Sequence, residues 1–362
     1  MKDVDIKKAI EMLGASKSKF TLLADGFIDE VWEIVDFRKS LTEVEVYKRM
    51  NQFADRITGS GSGGVGLEVI SKRRTIGGFT SNTGFALGRM GADTTLIGLY
   101  GKDGLDPVFD DLGKLCRMES IDDASLTIIF EFDDGKVMLS DMQGIQHITW
   151  KSVVEKLGKA KVTELISKAD IIGVGYWSLF PAFDEIVQEI YALMEKESRM
   201  GRFFFDFADF RKKDEESLLS TLKMLAKLNE KMKMTLSVNE HEAQMLFELY
   251  GESFDDEGQS LEEKTEVVRA KVGLDELVVH TPHYATAAIS GAKTAFAHSL
   301  FCEKPVRTAG GGDTFNAGYM AAHAAGLDTF ERLNLANAAV GYFLRNGIGP
   351  DIQQLEEYML KT

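Results

Sequence analysis

Short apolar runs alternate with amphipathic stretches along most of this chain of 362 residues. The runs have the length of strands, and the stretches between them repeat their apolar positions with the period of a helix. Strands are predicted at residues 20–24, 94–99, 170–174, 203–205, 235–238 and 277–280. Helices are predicted at residues 163–168, 181–196, 215–231 and 262–272. This alternation predicts an α/β fold in which helices cover both faces of a mostly parallel, doubly wound sheet.

Two regions depart from this alternation and predict a small antiparallel sheet beside the main one. Residues 31–38 alternate apolar and polar side chains, as a half-exposed strand does. Residues 127–132 and 136–139 flank Asp134-Gly135, a pair that is typical of a hairpin turn. We interpret this sheet as a β lid whose segments, about 30–40 and 125–141, are inserted into a single domain spanning residues 1–362.

A glycine-rich stretch follows residues 45–57, which are charged and predict a helix. Its Gly59-x-Gly61-x-x-Gly64 pattern superficially fits a dinucleotide-binding fingerprint. That fingerprint requires a buried strand directly before it, because the strand holds the tight turn that approaches the pyrophosphate. We therefore interpret the stretch as a loop near the lid, which argues against an oxidoreductase.

Composition and charge exclude several classes of protein. The net charge of −15 argues against nucleic acid as the main partner and disfavours anionic membrane surfaces. No apolar run approaches the roughly 20 residues of a membrane span, and residues 1–20 predict a short amphipathic helix instead of a signal peptide. Only two cysteines are present, which fits a reducing cytosol. A cytoplasmic protein is expected.

The strongest candidate for chemistry is the glycine run Gly310, Gly311 and Gly312, which precedes a helix predicted at 313–325. Glycines let successive amide groups point into one concavity, and the start of a helix adds partial positive charge. Asp313 would lie in the first helical turn, where its carboxylate can accept a proton from an attacking hydroxyl. The alternative is a simple turn with Asp313 as a helix cap. It is not a Walker A loop, because no Gly-Lys-Ser/Thr follows.

Residues 308–318 resemble the C-terminal signature of the ribokinase-like (PfkB-type) carbohydrate kinases. The resemblance implies that Asp313 is the catalytic base, that Gly310, Gly311 and Gly312 line an anion hole, and that ATP is the phosphoryl donor. Two segments nearer the N-terminus are similar to the sugar-binding motifs of the family. They imply that the substrate is held by Asp29, Gly77, Gly78 and Asn82.

Further segments of the chain extend this resemblance over nearly its whole length. Asn239 and Glu242 resemble the Asn-x-x-Glu motif that positions Mg²⁺ and phosphate, although the same spacing is typical of a helix capping box. Thr281 and Asn337 correspond to positions that flank the nucleotide. The implied cofactors are ATP and Mg²⁺, and the implied substrate is a small sugar, sugar acid or polyol.

Three departures from the family pattern qualify these roles. Arg307 stands where relatives usually carry an Asp that helps to hold a monovalent cation, so we hypothesise that the enzyme does not need K⁺. Pro282 and His283 replace a glycine-containing turn near the nucleotide, which leaves the nucleotide preference open. Residues 206–211 resemble a segment of fructokinase-like members, in which Arg211 would reach an anionic group or form a local pair with an Asp.

Two other functions remain open, and the sequence does not name the acceptor. Phe27, Trp32 and Phe130 are candidate platforms for a base, so a nucleoside kinase of the same fold is an alternative. A catalytically silent sugar-binding regulator is another. The apolar faces of residues 31–35 and 128–132 would allow a homodimer through the lid.

Overall fold

The computed structural model describes residues 4–199, 201–254 and 258–362. The strands are β1 (Lys19–Leu23), β2 (Phe27–Arg38), β3 (Val44–Val46), β4 (Val69–Gly77), β5 (Asp93–Leu99), β6 (Arg117–Asp122), β7 (Ser125–Phe132), β8 (Gly135–Asp141), β9 (Ile171–Gly175), β10 (Arg202–Asp206), β11 (Lys233–Asn239), β12 (Glu276–His280), β13 (Tyr284–Ile289) and β14 (Ala295–His298). The helices are α1 (Ile6–Ala15), α2 (Met50–Thr58), α3 (Phe79–Arg89), α4 (Asp110–Leu115), α5 (Gln143–Gln146), α6 (Trp150–Leu157), α7 (Lys159–Ser167), α8 (Phe183–Lys196), α9 (Glu215–Leu228), α10 (Glu240–Leu249), α11 (Leu261–Val272), α12 (Gly311–Ala324), α13 (Thr329–Asn346) and α14 (Ile352–Lys361).

The large sheet has the order β14-β13-β12-β11-β10-β9-β1-β5-β6. Its strands from β12 to β6 run parallel, and β13 and β14 add an antiparallel edge. All six predicted strands are present within one or two residues of their expected ends. The mostly parallel sheet is therefore confirmed.

Alternating side chains of the strands supply two apolar layers, one on each face of the large sheet. On β10, Phe203 and Phe205 enter one core cluster, and Phe204 enters the other. A period of two is the geometry of a strand that is buried on both faces. Helices α8 and α9 pack on the first layer, and α12 and α13 pack on the second. No helix in the described ranges is long and apolar enough to cross a membrane.

A smaller sheet of β2, β3, β4, β7 and β8 forms the lid. Most of its pairs are antiparallel, but β2 and β7 run parallel. Strand β4 was not predicted, because residues 71–74 read Ser-Lys-Arg-Arg and are exposed to solvent on both faces. The helix expected over residues 45–57 begins only at Met50, since Val44–Val46 pairs with β2.

The chain reverses its direction of sheet growth at β1. Strands β5 and β6 lie on one side of β1, and β9 to β12 lie on the other. Loops that leave the carboxyl ends of strands on the two sides of such a point diverge, so they open a crevice where ligands bind in α/β sheets. The expected binding site is therefore the carboxyl edge beside β1 and β9.

Candidate active site

Polar residues follow the central strands at this carboxyl edge. Asp25 comes after β1, Tyr176 after β9, and Asp206 ends β10. Asn239 ends β11, and Thr281 follows β12. Because parallel strands end at one edge of the sheet, residues far apart in sequence meet there.

The predicted glycine run forms the start of helix α12 opposite this edge. Gly310 is the N-cap residue and has φ 90°, a left-handed conformation that glycine adopts without strain. The amides of Gly312 and Asp313 donate to no acceptor in the described part of the chain. The Gly311 amide, by contrast, donates to the Thr308 carbonyl at 3.0 Å. Free amides at a helix start can bind an anion, and the anion hole stays a prediction.

Asp313 lies in the first turn of α12, and its carboxylate is close enough to Asp206 to feel its charge. Asn82 Nδ2 donates a hydrogen bond to Asp313 Oδ2 at 3.0 Å, which joins two predicted site residues. Burial raises the pKa of Asp313 well above its ordinary value, and the charge of Asp206 raises it further. Asn82 and Arg307 oppose this rise. The ionised form of such a group is a stronger base than an ordinary carboxylate, while the raised pKa also favours the protonated form, which cannot accept a proton.

The predicted sugar-binding residues lie together where β2 and β4 meet helix α3. A side chain on Gly77 would collide with the carboxylate of Asp29, and one on Gly78 would collide with Asp25. Asp29 is nearly buried, and its pKa rises to about 6 because it is desolvated. Asp25 is fully buried and accepts hydrogen bonds from the Thr80 amide at 3.1 and 3.2 Å. Desolvation raises the pKa of Asp25 to about 8.

Asn239 and Glu242 form a capping box at the start of α10. The Glu242 amide donates to Asn239 Oδ1 at 3.1 Å, and the Asn239 amide donates to Glu242 Oε2 at 3.0 Å. Glu242 is buried, and burial together with the charge of Asp206 raises its pKa well above the ordinary value. The two residues therefore cap the helix, and Glu242 also contributes a carboxylate to the lining of the site.

Two adjoining clefts run along the carboxyl edge. The first, which we call the acidic cleft, has a volume of about 390 Å³ and is lined by Asp206, Asp209, Glu242 and Asp313 among others. The second, the glycine cleft, has a volume of about 340 Å³ and includes Gly311, Thr281 and Asn337. Asn239, His241, His280 and Gly312 line both clefts. A ligand lying along this path would pass from Asn337 to Asp313.

Thr281 and Asn337, the two residues predicted to flank the nucleotide, line the glycine cleft. Thr281 Oγ1 accepts hydrogen bonds from the amides of His283 and Tyr284, which fixes the turn between β12 and β13. Asn337 Nδ2 donates to the His298 carbonyl at 3.2 Å. His283 is exposed and stacks on Phe301, with ring centroids 4.6 Å apart.

A cationic group faces Asp29 from the lid and from the loop before α12. The positive charges of Arg307, Lys136 and Arg73 lower the pKa of Asp29 and partly offset its desolvation. Arg73 is paired with Glu131 at 2.6 Å.

Arg211, which could have reached an anionic group, forms a bidentate pair with Asp209 at 2.7 and 2.9 Å. The local Asp–Arg pair is therefore the arrangement found.

The structure adds site residues that the sequence did not single out, among them Tyr176, Asp25 and Lys136. Tyr176 has φ 60° and stacks on Phe27 with ring centroids 5.3 Å apart. Its pKa is raised well above the ordinary value by burial and by four nearby carboxylates. Its position directly after a buried strand was the available signal.

Phe130, a candidate platform for a nucleoside base, packs against Phe53 of α2 with 6.2 Å between ring centroids.

Solved structures share the whole arrangement of sheet and lid. Arabidopsis thaliana ribokinase, solved with ribose and ATP, matches with a TM-score of 0.66 over 95% of this chain and 99% of that one, at 17% identity. A putative ribokinase II from E. coli, in complex with ATP and Mg²⁺, matches with a TM-score of 0.65 over 96% of this chain and all (100%) of that one, at 12% identity. The ribokinase-like fold predicted from the sequence is thus confirmed.

Sequence similarity identifies the family to which the chain belongs within the ribokinase-like fold. The model of a family described as prokaryotic ketohexokinase matches residues 6–361. A ketohexokinase from Haloferax volcanii is 27% identical over 340 residues, which is 92% of this chain and 88% of that protein. The chain belongs to the prokaryotic ketohexokinase family. The prediction of a carbohydrate kinase is confirmed.

Proposed function

We propose that this protein transfers the γ-phosphoryl group of ATP to a hydroxyl of a ketohexose, with Asp313 as the general base. The observation that carries the proposal is the position of Asp313. It lies beside free amides at the start of α12, accepts a hydrogen bond from Asn82 and lines the acidic cleft. The ketohexokinase relative supports a ketohexose as the acceptor.

In the proposed mechanism the acceptor lies between Asp29, Asn82 and the pair Gly77 and Gly78, beneath the lid. The nucleotide lies along the glycine cleft, near Thr281 and Asn337, with its phosphates toward Gly310–Gly312. Asp313 removes the proton from the attacking hydroxyl, and the amides at the start of α12 stabilise the charge that develops. Base catalysis of this kind contributes roughly 10²–10⁴ in rate.

Mg²⁺ suits the acidic end of this path. No group of three or more His, Cys, Asp or Glu residues that would enclose a metal is found among the described residues. Mg²⁺ seldom needs one, since it keeps several waters and binds mainly to one or two carboxylates and the substrate phosphates. Glu242 and Asp206 repel each other at the cleft, and Asn239 adds an amide oxygen. We propose that these groups hold the ion, which would neutralise phosphate charge.

The test is ADP formation from ATP and Mg²⁺ with a panel of acceptors: D-fructose, D-tagatose, D-ribose, 2-keto-3-deoxygluconate and adenosine. Turnover with a ketohexose and little with the others supports the proposal. Preferential turnover of adenosine would establish a nucleoside kinase instead. A ketohexose that raises the melting temperature without any turnover would indicate a sugar-binding regulator.

A homodimer through the lid stays a prediction, but the residues expected to form its interface are not the ones that the structure exposes. Val31, Ile34 and Ile129, which lie in the faces expected to pair, are buried within the chain. Strand β8 is exposed instead, with Met138 and Leu139 about half accessible at 47% and 55%. Sedimentation of the wild type and of Leu139→Lys would test whether β8 forms an interface.

A further inference from the structure

Arg307 is a half-buried cation whose side chain has no hydrogen bond or ion pair with any residue that the structure describes, and its guanidinium contacts the ring of Phe343. Other arginines near the lid are paired: Arg74 binds Asp106 at 2.8 and 2.9 Å, and Arg73 binds Glu131. A guanidinium carries five N–H donors in a planar fork, and leaving them unused in a partly desolvated position is costly. The unused donors of Arg307 therefore suit an anionic ligand.

The surroundings of Arg307 place this ligand at the reacting end of the site. Arg307 lines a cavity of about 290 Å³ together with Asn82 and Gly310. Asn82 donates the hydrogen bond to Asp313, and Gly310 caps the helix that carries Asp313. The guanidinium carbon of Arg307 lies 5.6 Å from the centre of the Phe343 ring, which supports the side chain from behind.

The charges around Arg307 agree with this placement. Desolvation lowers the pKa of Arg307, while Asp29 and Asp313 favour its charged form. Reciprocally, the charge of Arg307 lowers the pKa of both carboxylates. These two are the residues that the proposed mechanism assigns to the acceptor and to its proton. Arg307 thus acts on both carboxylates, and it lines the same cavity as Asn82 and Gly310.

We propose that Arg307 binds the transferred phosphoryl group and continues to hold it on the phosphorylated product. The proposal rests on the proposed phosphotransferase function. The group that moves is a phosphoryl, the bond to the bridging oxygen of ATP breaks as the bond to the acceptor oxygen forms, and the acceptor proton goes to Asp313. A bidentate guanidinium matches phosphate geometry, and it complements the amides of α12 from the acceptor side.

The test compares wild type, Arg307→Met and Arg307→Lys, with Arg117→Met as a matched control at a surface pair with Glu119. Calorimetry without nucleotide measures the affinity for D-fructose, D-fructose 1-phosphate and D-fructose 6-phosphate. Steady-state kinetics measure kcat and KM. In Arg307→Met we expect the bound phosphate ester to lose about tenfold to a hundredfold in affinity. The affinity for D-fructose should change by less than about threefold.

The kinetic expectation is a loss in kcat of about 10²–10³, in the range found for removal of one transition-state donor. Arg307→Lys should recover part of kcat, which a merely structural role would not require. Equal loss of fructose and fructose phosphate affinity would overturn the proposal, as would an unchanged kcat in a folded Arg307→Met variant. Absence of turnover in the wild type would contradict the proposed function, and the calorimetric comparison would then decide anion binding by itself.

Discussion

Buried carboxylates lie at both ends of the main sheet, and the two groups differ in what surrounds them. At the amino ends, Glu276 is fully buried and accepts hydrogen bonds from Thr235, Arg202 and Tyr319 at 2.6, 3.1 and 2.6 Å. Arg332 Nη1 donates to Glu276 Oε1, the oxygen that also accepts from Tyr319, at 3.4 Å. At the carboxyl ends, Asp25, Asp206, Glu242 and Asp313 have raised pKa values, mainly because they are buried.

The difference separates a structural cluster from a site. A buried carboxylate with all its hydrogen-bond capacity used stabilises one arrangement of the strands that meet there. Buried carboxylates that repel one another raise each other's pKa, a condition that cationic ligands or proton transfer relieve. The carboxylate at the amino edge is thus satisfied by hydrogen bonds within the chain, whereas those at the carboxyl edge are suited to binding a cation or transferring a proton.

The largest expected effect on stability is at the amino edge. Glu276→Ala would remove the buried carboxylate partner of Arg332 and one of the two partners of Arg202, which keeps Asp275 at 2.8 Å. We expect a loss of about 3–5 kcal/mol in the free energy of unfolding. Urea unfolding measures this loss. Glu164→Ala, which breaks an exposed pair with Lys168 of 2.7 Å, is the control and should cost less than about 1 kcal/mol. A loss of similar size in both variants would contradict the comparison.

Asp29→Asn should have the opposite sign at the carboxyl edge. The pKa of Asp29 rises from 3.8 to about 6 on folding, so folding favours its protonated form. The stability linked to this proton is fully present below the unfolded value and is lost as pH rises through about 6. The variant should therefore gain on the wild type as pH increases, by at most about 3 kcal/mol.

Unfolding of wild type and Asp29→Asn at pH values between 4 and 8 measures this gain, with Asp103→Asn in an exposed loop as the control. A stability difference that is independent of pH would show that Asp29 is ionised at no cost.

Replacement of K⁺ by Na⁺ should change turnover by less than about twofold, the smallest effect in this set. Arg307 occupies the loop before α12 with a permanent positive charge and cannot ligate a cation. ADP formation in matched buffers of KCl and NaCl measures the ratio. Strong activation by K⁺ over Na⁺ would refute the hypothesis that the enzyme does not need K⁺.

The fold could be predicted because its signals are local. An apolar run such as Ile171–Gly175 identifies a buried strand, and glycines before an Ala-rich helix identify a phosphate-type turn. Strand β4 escaped prediction because its middle is charged and exposed, so the alternation of a half-buried strand is absent. Its place is decided by pairing with β2, which lies more than thirty residues earlier.

Individual site residues could be predicted where a local sequence motif marks them, but the contacts between residues far apart in sequence could not. Asp313 and Asn82 could be proposed separately, yet the hydrogen bond between them spans 231 residues of sequence. The effect of Lys136 on Asp29 likewise depends on strand pairing within the smaller sheet, and that of Arg307 depends on how this sheet packs near the loop before α12. Asp25 directly follows β1 in the sequence, but its bond to the Thr80 amide depends on how α3 packs against β1.

The most direct test of the account is a paired measurement on Asp313→Asn, with D-fructose, ATP and Mg²⁺. The variant removes the proton acceptor but keeps the shape of the side chain, so calorimetry should show sugar and nucleotide affinities close to those of the wild type. Turnover should fall by about 10²–10⁴, the range of a general base. Turnover that remains at the wild-type rate would contradict the assignment of Asp313 as the base and with it the proposed mechanism.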